Sequence, residues 1–150
     1  MEKMDFTNYV NANTKNNGTN REIAVCKYFG IERFAHDHRS YSKGSDVELA
    51  NGRNISVKSA GFTLMHGNLC KGCFTFEGIW RRFYKNTHAN EFLYVTNDWY
   101  GFLMNKKEFS KFIHQFCYIN RESTQNGGHI KIKMGSETKA IRTWLENQVA

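Results

Sequence analysis

The sequence contains no proline, few cysteines and no long apolar run. No window approaches the roughly 18 consecutive apolar residues that a membrane-spanning helix needs, and the polar N-terminus lacks the apolar centre of a signal peptide. We therefore expect a cytoplasmic protein that does not enter a membrane. The four cysteines, Cys26, Cys70, Cys73 and Cys117, are too few and too irregularly spaced for a disulfide scaffold, so reduced thiols are expected.

The sequence also has fewer acidic than basic residues, with 14 Asp and Glu and 21 Lys and Arg, which gives a formal net charge of +7. This balance favours polyanionic partners, although many proteins carry it without binding any. A chain of 150 residues, 40% of them hydrophobic, can bury one sizeable core. Since neither repeats nor low-complexity linkers occur, we expect one domain over residues 1–150.

Hydrophobic periodicity predicts an α/β fold, with a mixed central sheet flanked by helices. Residues 1–17, rich in Asn and Thr, have weak periodicity and are expected to form a loosely ordered lead-in, or a short helix around residues 6–10. The patterns predict helices over 19–29, 75–86, 106–116 and 136–148, and strands at 62–65, 91–96, 100–105 and 129–134.

The first predicted helix has clear start and stop signals. Thr19 is a candidate N-cap, Glu22 follows three residues later as in a capping box, and Gly30 is suited to closing the helix. The capping box gives Glu22 a purely structural explanation, which competes with any role in chemistry.

The segment GSDVELANGRNISVKSA, residues 44–60, predicts two strands joined at Asn51-Gly52, a strong hairpin signal. A two-residue loop would mix apolar and charged side chains on both faces. A three-residue loop or a bulge closed by Gly52 instead gathers Val47, Leu49, Ile55 and Val57 on one buried face. In the register we favour, Asp46 pairs with Lys58 and Glu48 pairs with Ser56, so that two carboxylates and a lysine lie together.

Carboxylates and a lysine on one face suit metal-assisted phosphodiester hydrolysis, in which the carboxylates bind a hard divalent cation. With the helix acid Glu22 before it, the hairpin resembles the PD-(D/E)xK nuclease superfamily, which includes restriction enzymes, junction resolvases and some homing endonucleases. The resemblance covers residues 18–60 in its motifs and implies a restriction-endonuclease-like αβββαβ core. It also implies Asp46 as a metal ligand, Lys58 as the catalytic lysine and Glu22 as a supporting acid.

Ser56 departs from the pattern of that superfamily, which usually has Asp, Glu or Gln at this position. A serine hydroxyl is a weak ligand for a hard cation, so a second acid must come from elsewhere. The candidates are Glu77 on the following helix, Glu48 facing Ser56, and Glu22 acting with waters. We rank Glu77 slightly above Glu48, because one restriction-enzyme branch with Ser-x-Lys takes its acid from a downstream helix, although at a shorter spacing.

Basic and aromatic residues supply candidate nucleic-acid contacts, since Lys and Arg neutralise phosphates. They are Arg39, Tyr41, Lys43, Arg81, Arg82, Lys85, Lys131 and Lys133.

Two other patterns are weaker. Cys70 and Cys73 have zinc-knuckle spacing, with His66 nearby and His88 or Cys26 to complete a site, but a second tight pair is lacking. The His-Asp-His run at 36–38 is most simply a solvated loop.

These patterns together predict an endodeoxyribonuclease of restriction, homing or resolvase type, dependent on Mg²⁺ with Mn²⁺ able to substitute. A dimer or higher oligomer is expected, because one site of this size cuts one strand. Two alternatives remain open at this stage. One is a binding module that keeps the scaffold without the chemistry, for which Ser56 is the best argument, and the other is a toxin nuclease that cleaves RNA.

Overall fold

The computed structural model describes residues 1–32, 46–59, 62–64, 75–120, 129–133 and 137–150. The predicted contacts at Arg39, Tyr41 and Lys43, the His-Asp-His run and the zinc-knuckle cysteines lie outside these residues. Within them the chain forms two sheets and four α-helices, so the predicted α/β class is confirmed.

The larger sheet has five strands: β1 (Glu2–Asp5), β2 (Val47–Glu48), β3 (Asn54–Ser59), β5 (Glu91–Val95) and β6 (Tyr100–Asn105). Their order across the sheet is β1, β6, β5, β3, β2. Strands β3 and β5 are parallel and the other neighbours are antiparallel, so the sheet is mixed, as predicted. A smaller antiparallel sheet contains β4 (Thr63–Leu64), β8 (His129–Ile132) and β7 (Cys117–Asn120), in that order.

The four described helices are α1 (Gly18–Phe29), α2 (Phe76–Asn86), α3 (Lys106–Phe116) and α4 (Lys139–Val149). All four correspond to predicted helices. None of them is both long enough and apolar enough to cross a membrane.

Alternation along the strands divides the buried residues of the large sheet between two cores. Phe92 and Tyr94 of β5 face the core that contains α2, α3 and α4, whereas Leu93 and Val95 face the core that contains α1. Phe92 stacks on Phe109 of α3 with ring centroids 4.1 Å apart. Helices therefore cover both faces of the sheet, which leaves its strand ends and edges as places where polar groups can gather.

The sequence patterns did not predict two of the strands. Residues 1–17, expected to be a loose lead-in, instead supply β1, which pairs with β6 at one edge of the large sheet. Met4 and Phe6 are buried, and the expected short helix is reduced to a 3-10 turn at Thr7–Tyr9. Strand β7 follows α3 directly and was also not predicted. Both strands are short, and each is fixed by its partner, β1 by the distant strand β6 and β7 by β8, which follows it in the chain.

The hairpin register differs from the one predicted. Val47 pairs with Ile55 and Glu48 pairs with Asn54, so the predicted pairings of Glu48 with Ser56 and of Asp46 with Lys58 are wrong. The loop has three residues, as expected, but they are 50–52, because the Leu49 amide donates to the Arg53 carbonyl at 2.9 Å. Its last residue, Gly52, has φ of 84°, the left-handed conformation that closes such a loop.

The predicted apolar face of the hairpin is confirmed despite this shift. Val47 and Ile55 are fully buried, and Leu49 and Val57 pack beside them in the core that contains α1. A displacement of two residues preserves the alternation of faces, since strand side chains repeat every second residue.

Gly101 of β6 is tightly packed, with no space for a side chain. A Cβ atom there would meet Leu93 Cδ1 at 2.8 Å and would collide with the ring of Phe6. We expect Gly101→Ala to lower the free energy of unfolding by about 1 to 3 kcal/mol, the usual cost of overpacking a core. Urea denaturation would measure this change.

Gly18→Ala is the matched control, because its Cβ would meet only Arg21 Nη2 at 3.9 Å. This substitution should leave stability unchanged or slightly higher, as alanine is the better helix former. Equal stability losses in both variants would contradict the packing that we describe around β1.

Candidate active site

Lys58 lies on β3, the strand that joins the hairpin to the centre of the large sheet. It pairs in register with Tyr94 on the parallel neighbour β5. The side chain is half-buried. Loss of water around its ammonium group lowers the pKa of Lys58 below the ordinary lysine value of 10.5.

Two carboxylates oppose this effect. Asp46 and, more weakly, Glu22 favour the charged ammonium and so raise the pKa of Lys58, although burial outweighs them. The three residues come from different segments, since Glu22 belongs to α1, Asp46 immediately precedes β2 and Lys58 is in β3. The fold thus brings together the three residues to which the sequence assigned the central chemistry.

The Asp46 carboxylate is positioned by β3. Its Oδ2 accepts a hydrogen bond of 2.7 Å from the amide of Val57 and a longer one of 3.4 Å from the Ser56 hydroxyl. Ser56 is buried, with only 1% of its surface exposed. A buried serine that donates to Asp46 orients the acid. The hydrogen bond to Asp46 therefore gives Ser56 a structural role that does not involve binding a metal ion.

The structure removes the competing explanation for Glu22. The N-cap of α1 is Asn17, whose side chain accepts from the Asn20 amide at 2.9 Å, so Thr19 is not the cap. Because α1 begins at Gly18, the third helical position is Asn20, and Glu22 lies two residues too far along to form a capping box. The predicted cap at Thr19 was wrong, and the predicted closure at Gly30, with φ of 69°, is confirmed.

Sequence reasoning missed polar residues that surround this cluster. Arg21 donates hydrogen bonds to the carbonyl and the side chain of Asn16 at 3.1 and 2.8 Å. Burial lowers the pKa of Arg21, and the charges of Glu22 and Tyr94 partly offset this by raising it. The Tyr94 hydroxyl is fully buried on the face of β5 that adjoins Lys58, and burial raises its pKa. The sequence signal that could have identified Tyr94 is a tyrosine hydroxyl within an apolar run of a strand.

The other two predicted metal ligands lie elsewhere. Glu48 opposes Asn54 and its Oε1 lies 3.6 Å from His88 Nε2. Glu77 lines a groove between α2 and α3, and no residue of β2 or β3 lines that groove. Neither acid is among the charges that shift the pKa of Lys58. Among the described acids, Asp46 and Glu22, rather than Glu77 or Glu48, are therefore the ones close enough to Lys58 to shift its pKa.

The described candidates for nucleic-acid contact fall into two groups. Arg81, Arg82 and Lys85 are exposed on α2, as predicted for residues available to a ligand. Lys131 is half-buried on β8, and Lys133, just beyond the strand, is exposed.

A divalent cation is compatible with the donors present. Across the residues that the structure describes, no three His, Cys, Asp or Glu side chains converge as a ready-made metal site. Mg²⁺, however, is commonly held by one or two carboxylates together with waters and substrate phosphate. Asp46 and Glu22 supply two carboxylates around Lys58, which fits this minimal requirement.

Comparison with protein-family models, with curated proteins and with solved structures gives no match for this chain. Any assignment of function therefore depends on the geometry described above and on the motif resemblance.

The electrostatics of Lys58 can be tested directly. We expect the pKa of Lys58, followed by NMR titration of its side chain, to lie below 10.5. Asp46→Asn and Glu22→Gln should each lower it further, because each removes a charge that favours the ammonium. Glu48→Gln is the control and should leave it unchanged. An increase in either site variant would contradict the proximity of the three charges.

The same pKa shift affects stability with a defined sign. The pKa of Lys58 is lower in the folded state than in the unfolded state. Between the folded pKa and about 10.5, the unfolded chain therefore binds more protons, and the free energy of unfolding rises with pH. Urea denaturation should show that the stability of wild type relative to Lys58→Met increases over that interval. A relative stability that stays constant with pH would contradict the lowered pKa.

The Tyr94 hydroxyl has no hydrogen-bond partner within the described part of the chain. A buried unsatisfied hydroxyl costs about 1 to 3 kcal/mol, so Tyr94→Phe should raise the free energy of unfolding by about that amount. Tyr118→Phe, at a tyrosine that is 41% exposed, is the control and should change stability little. Destabilisation by Tyr94→Phe would show that the hydroxyl is satisfied in solution.

Proposed function

We propose that this protein is a Mg²⁺-dependent endonuclease that hydrolyses DNA phosphodiester bonds. The observation that carries the proposal is a lysine of lowered pKa beside two carboxylates from separate segments. Perturbed lysines with specific charge partners occur preferentially at functional sites. A surface lysine at a strand end would show neither feature.

The arrangement of elements supports the same proposal. α1, the β2–β3 hairpin, α2 and β5 follow one another in the order expected for the restriction-endonuclease-like core, and β5 lies parallel beside the lysine-bearing strand β3. The short strand β4 stands in the chain where the third strand of an αβββαβ core is expected, but it pairs with β8 in the small sheet, which departs from that pattern.

Each residue has a distinct task in the proposed reaction. Lys58 releases its proton more readily than an exposed lysine, so it is suited to orient or deprotonate the attacking water, and its charged form offsets the negative charge that develops on the phosphate. Ser56 and the Val57 amide hold the Asp46 carboxylate in place.

Asp46 and Glu22 would hold the metal ion. Mg²⁺ bound there would polarise a phosphate oxygen of the substrate and neutralise charge on it. Mn²⁺ should substitute, because it also accepts carboxylate and water ligands. The net charge of +7 favours a polyanionic substrate. We further propose a homodimer or higher oligomer, since one cluster of this kind serves one strand.

One observation favours a second candidate, a nucleic-acid-binding module without catalytic activity. The position that usually carries the second acid holds Ser56, which is buried and bonded to Asp46. Such a protein would bind nucleic acid in a salt-sensitive way and leave it intact with either Mg²⁺ or Mn²⁺.

Nicking of supercoiled plasmid DNA tests the proposal. We expect cleavage with Mg²⁺ that stops on chelation. Lys58→Met should reduce the rate by about 100-fold or more, as for loss of a general base. Asp46→Asn should also reduce the rate, because it removes a proposed metal ligand. Glu22→Gln should also reduce it. Glu48→Gln and Glu77→Gln are charge-matched controls that should retain activity.

Three outcomes would redirect the assignment. Cleavage unchanged in Lys58→Met would refute the site. DNA binding without cleavage under Mg²⁺ or Mn²⁺ would favour the inactive module. Cutting that depends on a 2′-hydroxyl, seen with RNA but not DNA of equal sequence, would identify a ribonuclease.

A further inference from the structure

A groove of about 580 Å³ runs between α2 and α3, on residues separate from the proposed active site. Its walls carry Arg81 and Lys85 from α2 and Lys107 and Lys111 from α3. Within each helix the two cations are four residues apart, so they project from the same side about 6 Å apart along the axis. Two rows of positive charge thus face each other across the groove.

These four cations are exposed and form no ion pair with any described acid. Among the described residues that line the groove, Glu77 is the single acid. By contrast, Arg53 pairs with Glu91 at 2.7 Å and Arg142 with Asp98 at 2.8 Å. The groove therefore holds an excess of positive charge that the described protein does not neutralise.

The floor of the groove is aromatic. Trp80 is 8% exposed and supports Tyr84, which is 40% exposed, with ring centroids 5.8 Å apart in an edge-on contact. Lys106 donates to the Tyr84 carbonyl at 3.2 Å and lies 5.0 Å from the centre of its ring, which further fixes this residue. Tyr84 is thus a positioned ring with exposed surface between two rows of cations.

We propose that this groove binds a single-stranded segment of nucleic acid, with phosphates along the cations and a base stacked on Tyr84. A basic groove that contains an aromatic platform is the combination by which proteins bind single strands without reading sequence. The identity of the polyanion rests on the proposed function, but binding in the groove requires no cleavage. The active site would then act on a substrate that carries an unpaired strand.

Two other polyanions match the charge of the groove but fit its aromatic floor less completely. An acidic polypeptide would satisfy the cations but would make no use of a ring placed between them. Bases within an intact duplex are already stacked on one another, so they cannot stack on Tyr84 without unpairing. The aromatic floor therefore distinguishes a single strand from both.

Fluorescence anisotropy tests the groove in Lys58→Met protein with chelator present, so that cleavage cannot interfere. The probe is a labelled single-stranded oligonucleotide of about 12 nucleotides, within the range that such grooves bind. Lys85→Gln combined with Lys111→Gln should reduce the slope of log affinity against log salt by about 1.4, which corresponds to two phosphate contacts. Tyr84→Ala should weaken binding about tenfold.

Matched controls remove the same groups from other surfaces. Lys27→Gln combined with Lys139→Gln deletes two exposed cations that form no ion pair with a described acid. Tyr118→Ala deletes an equally exposed tyrosine. Both should bind the oligonucleotide like the parent protein. If the control pair weakens binding as much as the groove pair, net charge rather than the groove is responsible and the proposal fails.

Competition experiments identify the occupant. Displacement of the oligonucleotide by polyglutamate at equal charge concentration, with no effect of Tyr84→Ala, would assign the groove to an acidic polypeptide and overturn the proposal. Duplex DNA that binds as tightly, with the same dependence on Tyr84, would also overturn it. Single-strand binding in the groove alongside a failed plasmid assay would refute the nuclease but leave the groove assigned.

Discussion

The desolvation of the Lys58 ammonium beside Asp46 and Glu22 is the interaction on which the candidate site depends. A lysine kept from water is unfavourable unless negative charge lies close by, and here two acids offset part of that cost. Neither carboxylate alone would distinguish the site from an ordinary surface. Two carboxylates acting on one desolvated lysine distinguish this cluster from an ion pair on the surface.

Part of this arrangement could be predicted from local sequence. The apolar alternation of Val47, Leu49, Ile55 and Val57 specified which face is buried, and the Asn51-Gly52 signal specified a turn. The exact pairing was also within reach. Glycine commonly occupies the last position of a three-residue hairpin loop, where φ is positive, and this rule places the loop at 50–52.

Other features depend on partners that local patterns do not reveal. Asn17 rather than Thr19 caps α1, because several residues in this Asn-rich stretch can supply a capping oxygen. The position of Glu77 beside the α2–α3 groove follows from how two helices pack, which spacing along the chain does not specify. Strand β1 is recognisable only once β6 is available to pair with it, as its four residues include a single buried side chain.

The pairing of β1 with β6 has a consequence for how the chain acquires its structure. Glu2 meets Leu103, so β1 finds its partner only after about 100 further residues have been synthesised. Until then Met4 and Phe6 have no β6 surface to cover them. Contacts this distant in sequence slow folding relative to local ones. A growing chain should therefore leave Met4 and Phe6 accessible to chaperones until β6 has been synthesised.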